Sequence, residues 1–100
     1  MPRTTYLKAV AQYEATRDAF LAEVGGGGGE QHGVIAEIGR AFGAAFNALD
    51  SRSRFIATLE REQLFDALDF LADEAQTATG RDLSAARAAL IEGVDSSRDW

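Results

Sequence analysis

The chain has 100 residues and no cysteine, and its 16 acidic side chains outnumber its 10 basic ones, for a formal net charge of −6. This length fits a single domain, residues 1–100, with one modest core. The absence of cysteine excludes disulfides, thiolate catalysis and cysteine metal sites. An acidic chain repels nucleic acid and anionic membranes at long range, so the expected partner is a neutral or basic protein.

The composition favours helix over strand. Proline occurs once, at Pro2, and alanine is abundant while β-branched residues are few. No apolar run is long enough to span a membrane, and the N-terminus lacks the apolar region of a signal peptide, so we expect a cytoplasmic location without membrane contact. We predict an all-α fold, a compact bundle of four to five helices at about 4–24, 34–49, 51–60, 62–78 and 82–92.

The first predicted helix carries an apolar stripe. Its members are spaced alternately by four and three residues, which places them on one helix face, with Arg17 as the charged exception: Tyr6, Val10, Tyr13, Arg17, Phe20 and Val24. The stripe either packs into the protein's own core or contacts a partner helix, because two heptads are too few to require a coiled coil.

Five consecutive glycines, Gly25–Gly29, interrupt the helical pattern. Each glycine costs about 1 kcal/mol relative to alanine in a helix interior, so no helix is expected to cross this run. We predict a flexible Gly-rich linker at 25–33 that lets the second helix turn back beside the first. The run could be natural or an engineered joint. It lacks the Lys-Ser/Thr of a phosphate-binding loop.

The second predicted helix contains a row of small residues. Gly39 and Gly43 lie four residues apart, in line with Ala36. Such a row allows another backbone to approach closely, either within the domain or in a partner or self-association groove, although an alanine- and glycine-rich composition also produces it by chance.

The stretch from Asp50 to Ala78 shows two different apolar phases. Serines near Asp50 predict a helix start. Phe55 and Leu59 then point to one side of a helix, whereas Leu68 and its neighbours point to the other. We predict a break at 60–63; a continuous helix that contacts apolar surface on both sides is the alternative.

The C-terminal quarter is predicted to hold one short helix and a polar tail. Gly80 suits the left-handed residue that ends a helix, and Gly93 is expected to end the final helix. Residues 95–100 form a polar tail that closes with Trp100, which either folds back onto the domain or remains free.

No pattern for catalysis or for a cofactor is present. His32 is the sole histidine and lies beside the glycine run, so neither a catalytic dyad nor a metal site is indicated. Carboxylates on one helix face do not enclose a cation. We therefore expect neither an enzyme nor a bound cofactor.

The strongest functional candidate is an acidic face between Glu62 and Glu74, since no basic residue follows until Arg81. The face is either simply solvated or docks on a basic surface of a partner protein and inhibits or regulates it. The predicted partner-binding residues are Glu62, Asp66, Asp69, Phe70, Asp73 and Glu74. Size and charge also fit an inhibitor of a nucleic-acid-handling host system, encoded by a phage or mobile element.

Two other functions remain open. A helical DNA-binding regulator would use four arginines, Arg52, Arg54, Arg81 and Arg87, although the acidic surroundings do not favour direct nucleic-acid binding. A self-associating structural protein would use the aromatic stripe of the first helix or the row at Gly39 and Gly43. The oligomeric state is not predicted.

Overall fold

The computed structural model describes residues 3–25, 31–53 and 58–100, without the side chains of 51–53, 58 and 59. The all-α prediction is confirmed. The described residues form four helices: α1 (Arg3–Gly25), α2 (His32–Ser53), α3 (Thr58–Thr79) and α4 (Ser84–Ser97). Their radius of gyration, 13.3 Å, is that of a compact chain of this length.

Two predicted boundaries between 50 and 63 are wrong. The helix start predicted at 51 lies within α2, which continues to Ser53, and the break predicted at 60–63 lies within α3. Aspartate and serine permit a helix start but do not impose one, and Glu-Arg-Glu-Gln at 60–63 contains only good helix formers. Phe55 and Ile56, which suggested the phase change, lie outside the described residues and precede α3.

The predicted linker 25–33 is helical at both ends. Gly25 is the last residue of α1, and His32 and Gly33 are the first residues of α2, while 26–30 lie outside the described residues. The backbone N–H of Gln31 donates to the Glu23 carboxylate at 2.9 Å. This bond places a negative charge at the start of α2, where the helix dipole favours it.

Helix α2 is the centre of the packing: it contacts α4 most extensively and α1 next, whereas α3 packs more loosely against α1 and α4. We describe the helices as an α2–α4 pair and a looser α1–α3 pair. In one pair, α2 and α4 run in the same direction, since Gly39 meets Leu90 in the middle of α4 while Asn47 meets its end. In the other pair, α1 and α3 also run in the same direction, because Tyr6 lies near Leu64 and the end of α1 meets Arg81, just beyond α3. The core between the pairs consists mainly of fully buried side chains: Phe20, Val24, Ile35, Phe42, Phe46, Leu68, Leu71, Leu83, Leu90 and Val94.

The small-residue row makes an intramolecular helix crossing. A Cβ at Gly39 would overlap the carbonyl oxygen of Leu90 and lie 2.9 Å from the backbone nitrogen of Val94. Gly93 of α4 makes the reciprocal close approach to α2, because a Cβ there would overlap the carbonyl of Ala36. Of the uses proposed for Gly39 and Gly43, close packing within the domain is therefore the one the structure contains.

The last helix extends beyond its predicted end. Gly93 does not end α4, which continues to Ser97. A glycine is present at position 93 for a different reason, the close contact of α4 with α2. Trp100 folds back and is 8% exposed. Its indole N–H donates to the carbonyl of Gly43 at 3.3 Å, and Asn47 binds the backbone of Ser97 and Asp99, both at 2.7 Å.

Only one end of the α1 stripe enters the core. Phe20 is fully buried, Tyr13 is half-buried and Tyr6 is 56% exposed. The N-terminal half of α1 borders an open groove against α3, whereas its C-terminal half lies against packed core side chains. The stripe therefore contributes core at its C-terminal end and surface at its N-terminal end.

Candidate functional site

The outer face of α3 presents the predicted acidic residues to solvent. Leu68, Leu71 and Ala75 turn the opposite side of the helix into the core. At 100° per residue, this orientation directs a set of carboxylates outward, and all four of its members are exposed: Glu62, Asp66, Asp73 and Glu74.

Phe70 lies in the middle of this face. Its ring is 60% exposed, the largest exposure among the large apolar side chains described. Helical spacing places Asp66 one turn before it, and Asp73 and Glu74 one turn after it. An open depression of about 420 Å³ beside the ring is lined by Phe70, Asp73, Glu74, Thr77 and Ala78. We call the surface formed by Glu62, Asp66, Phe70, Asp73 and Glu74 the acidic–aromatic face.

Asp69 faces α4 rather than open solvent. Its carboxylate accepts from the Arg87 guanidinium, with the Nε and Nη2 atoms at 2.7 Å and 2.5 Å from the same oxygen. The pair lines a second depression between α3 and α4. Asp69 is thus engaged within the domain, and we leave it out of the acidic–aromatic face.

Glu74 acts electrostatically on α1 as well as belonging to the outer face. The pKa of Tyr13 is raised above its usual value of 10, first by burial and second by the negative charge of Glu74, while Arg17 acts in the opposite direction. The charge of the acidic–aromatic face is therefore felt by the α1 phenol.

Two of the arginines considered for DNA binding make contacts within the domain. Arg87 is paired with Asp69, and the Arg81 guanidinium donates to the backbone carbonyl of Val24 at the end of α1. Arg81 therefore connects the helix ends of the α1–α3 pair. The side chains of Arg52 and Arg54 lie outside the described residues.

The described part of the chain offers no metal centre and no membrane span. No group of three or more potential protein ligands for a metal is found in the residues searched, 3–25, 31–53 and 58–100. Within the same residues, no helix has the length and apolar character needed to cross a bilayer.

Sequence reasoning missed a groove between the N-terminal halves of α1 and α3. Tyr6 and Val10 form one wall, Leu64 and Ala67 form the other, and Phe46 of α2 lies between them. The available signal was the N-terminal half of the α1 stripe, but its spacing alone did not separate the buried residues from the exposed ones.

Comparison of the chain with protein-family models, with curated proteins and with solved structures finds no match. The interpretation of the acidic–aromatic face therefore rests on its own geometry and charge.

Proposed function

We propose that this protein is a small binding module that docks the acidic–aromatic face of α3 on a basic surface of a partner protein and thereby inhibits or regulates it. The observation that carries the proposal is Phe70, an aromatic ring 60% exposed and surrounded on its own helix by Asp66, Asp73 and Glu74. The ring supplies an apolar anchor, and the carboxylates select a partner whose surface is positively charged.

The two components have complementary roles in recognition. Aromatic side chains are common energetic anchors in interfaces because they bury a large area with few rotatable bonds. Carboxylates around them attract lysine and arginine, accelerate association and disfavour acidic competitors. An arginine stacked on the Phe70 ring could add a cation–π contact to a salt bridge with Asp66 or Asp73.

The arrangement costs stability within the domain without a compensating contact on this face. Asp66, Asp69 and Asp73 follow one another at helical spacings, and like charges at such spacings each destabilise a helix by a few tenths of a kcal/mol. The ion pair between Asp69 and Arg87 offsets part of this destabilisation, but Asp66 and Asp73 are exposed. A function in docking accounts for the presence of both acids around an exposed phenylalanine.

A nucleic-acid-binding partner fits this charge only in part. The face has exposed carboxylates at 62, 66, 73 and 74; the first and last are separated by 12 residue steps and so by about 18 Å of helix. This is about one charge per 4–5 Å, compared with one phosphate per 3.4 Å on a DNA strand. Competition for one basic patch is therefore proposed in preference to imitation of a whole strand.

The experiment compares capture of proteins from the source cells by four immobilised forms of the chain. Wild-type protein is expected to retain a basic protein at low salt. Phe70→Ser and Asp66→Lys/Asp73→Lys are expected to lose it. The control Glu14→Lys/Asp18→Lys makes the same charge change on α1, where it also removes two exposed ion pairs with Arg17, and it should retain the partner.

Circular dichroism and thermal unfolding establish that each variant is folded, which is expected because every substituted residue is exposed. Raising the salt concentration should weaken capture, since exposed charges are screened beyond about 10 Å at 0.1 M salt. Equal capture by wild type, Phe70→Ser and the double reversal on α3 would refute the proposal.

A further inference from the structure

The groove between α1 and α3 is an apolar cavity separate from the acidic–aromatic face. It has a volume of about 240 Å³ and is lined by Tyr6, Val10 and Tyr13 of α1, by Leu64 and Ala67 of α3, and by Phe46 of α2. None of the five residues of the acidic–aromatic face lines it. The groove therefore requires its own explanation.

Exposed apolar side chains lie next to the groove. Among the residues described, the large apolar side chains with substantial exposure are Tyr6, Leu7, Val34 and Phe70. Tyr6 and Leu7 are neighbours on α1, at 56% and 53% exposure, and we call them the apolar ridge. Tyr6 also lines the groove. The apolar ridge and the groove are therefore adjacent on the molecule.

The charges of the ridge and the groove are complementary. Residues 3–13 contain two bases, Arg3 and Lys8, and no acid. Of the residues that line the groove, one is acidic, Glu60 on the α3 side. A second copy of the segment 3–13 would bring apolar side chains to an apolar groove and positive charge to Glu60.

We infer that the groove receives residues 3–13 of a second copy of this chain, and that the exchange is reciprocal. A two-fold dimer uses the same surface on both subunits. Because the ridge and the groove are adjacent on one protomer, the ridge of each protomer can contact the groove of the other in a single interface. Leu7 and Tyr6 of each protomer then lie against the other protomer's groove. The acidic–aromatic face does not line this interface and is present twice in the dimer.

The dimer is expected to be weak. An 11-residue helical segment is about 16 Å long, and two such segments with their grooves reach only the lower end of the about 1,200–2,000 Å² buried in stable interfaces. Association should therefore depend on concentration in the micromolar range and above, and should be sensitive to one charge introduced at the ridge.

The experiment is sedimentation equilibrium of the full chain from about 5 μM to about 1 mM, a range that brackets a weak dimer. The wild-type mass is expected to rise from 10.7 kDa toward twice that value. Leu7→Glu and Tyr6→Ser should each raise the dissociation constant at least tenfold. Lys8→Glu should raise it several-fold. The matched controls Val34→Glu and Phe70→Ser should associate as the wild type does.

Several results would overturn the inference. A wild-type mass that stays at 10.7 kDa up to the highest concentration removes the dimer. Loss of association in Phe70→Ser or Val34→Glu, with Leu7→Glu unaffected, places the contact elsewhere. An unchanged dissociation constant for Lys8→Glu contradicts the charge argument that selects a second copy. Circular dichroism shows that each variant is folded, which exposure of all five positions leads us to expect.

Discussion

The two helix pairs of this molecule use their surfaces in opposite ways. In the α2–α4 pair, the helix backbones approach closely at glycines. The Trp100 ring packs over Phe42 and Phe46, with its centroid 6.5 Å from that of Phe42 and 6.3 Å from that of Phe46. In the α1–α3 pair, a groove separates the N-terminal halves, and Phe70 remains exposed. The difference suggests that stability is concentrated in one pair, which leaves the other pair available for contacts with other molecules.

The largest expected effect is on the C-terminal closure of the α2–α4 pair. Trp100→Ala removes an indole that is 8% exposed and contacts three phenylalanines, including Phe65 at 5.7 Å. We expect a loss of about 3 kcal/mol in the free energy of unfolding, at the lower end for a buried aromatic residue because the site is at the chain terminus. Urea unfolding followed by circular dichroism measures it.

Trp100→Phe is the control for this change, because it keeps one aromatic ring in the site while it loses the bond to the Gly43 carbonyl and the second ring of the indole. It should restore most of the stability. If Trp100→Ala unfolds at the same urea concentration as wild type, the C-terminal residues do not contribute to the α2–α4 pair.

A somewhat smaller effect is expected where α2 and α4 touch. Gly39→Ala places a methyl group against the Leu90 carbonyl and forces the helices apart. We expect destabilisation by about 2 kcal/mol, typical of overpacking in a close contact. The same urea unfolding experiment measures it.

Gly33→Ala is the matched control, because nothing lies within 4 Å of a Cβ at that position of the same helix. Alanine should be neutral there or stabilising by up to about 1 kcal/mol. Equal effects of the two substitutions would show that the crossing at Gly39 is not close.

The smallest effect concerns the α1–α3 pair at alkaline pH. The pKa of Tyr13 is raised by burial and by Glu74, so the folded state holds the phenol proton to a higher pH than the unfolded chain, whose value is about 10. Stability from this source is complete below pH 10 and is lost as pH rises through the folded-state pKa.

Thermal unfolding from pH 8 to pH 11 tests this coupling. Tyr13→Phe should reduce the alkaline decline in melting temperature, and Glu74→Gln should reduce it by a smaller amount, since burial is the first cause of the shift and Glu74 the second. An unchanged decline in both variants would show that neither Tyr13 nor its coupling to Glu74 contributes to the loss of stability at alkaline pH.

The helical fold and most of the core follow from local pattern. Composition and apolar spacing predict α1, and they predict the inward side of α3 through Leu68 and Leu71, because burial of an amphipathic helix leaves a period in the sequence. Helix limits near 50–63 and at Gly93 were wrong, since serine, aspartate and glycine are compatible with helix ends but do not determine them. At Gly93 a tertiary contact with Ala36 decides the outcome.

The candidate site was predictable only in part. The sequence predicts that Asp66, Asp69, Asp73 and Glu62 share a face, and it singles out Phe70 as a contact residue if exposed. It does not reveal that Asp69 turns to Arg87, because that pair joins residues 18 apart on two helices. The groove depends on how α1 and α3 diverge, which no single helix pattern contains.

The most direct test of the division between the two pairs is photo-crosslinking in the source cells. A benzophenone amino acid replaces Phe70 in one form and Val34 of α2, 41% exposed, in the other. We expect position 70 to crosslink to a basic partner protein, Asp66→Lys/Asp73→Lys to abolish the product, and position 34 to yield none. The same partner crosslinked from position 34, or a product from position 70 that survives the charge reversal, would contradict this expectation.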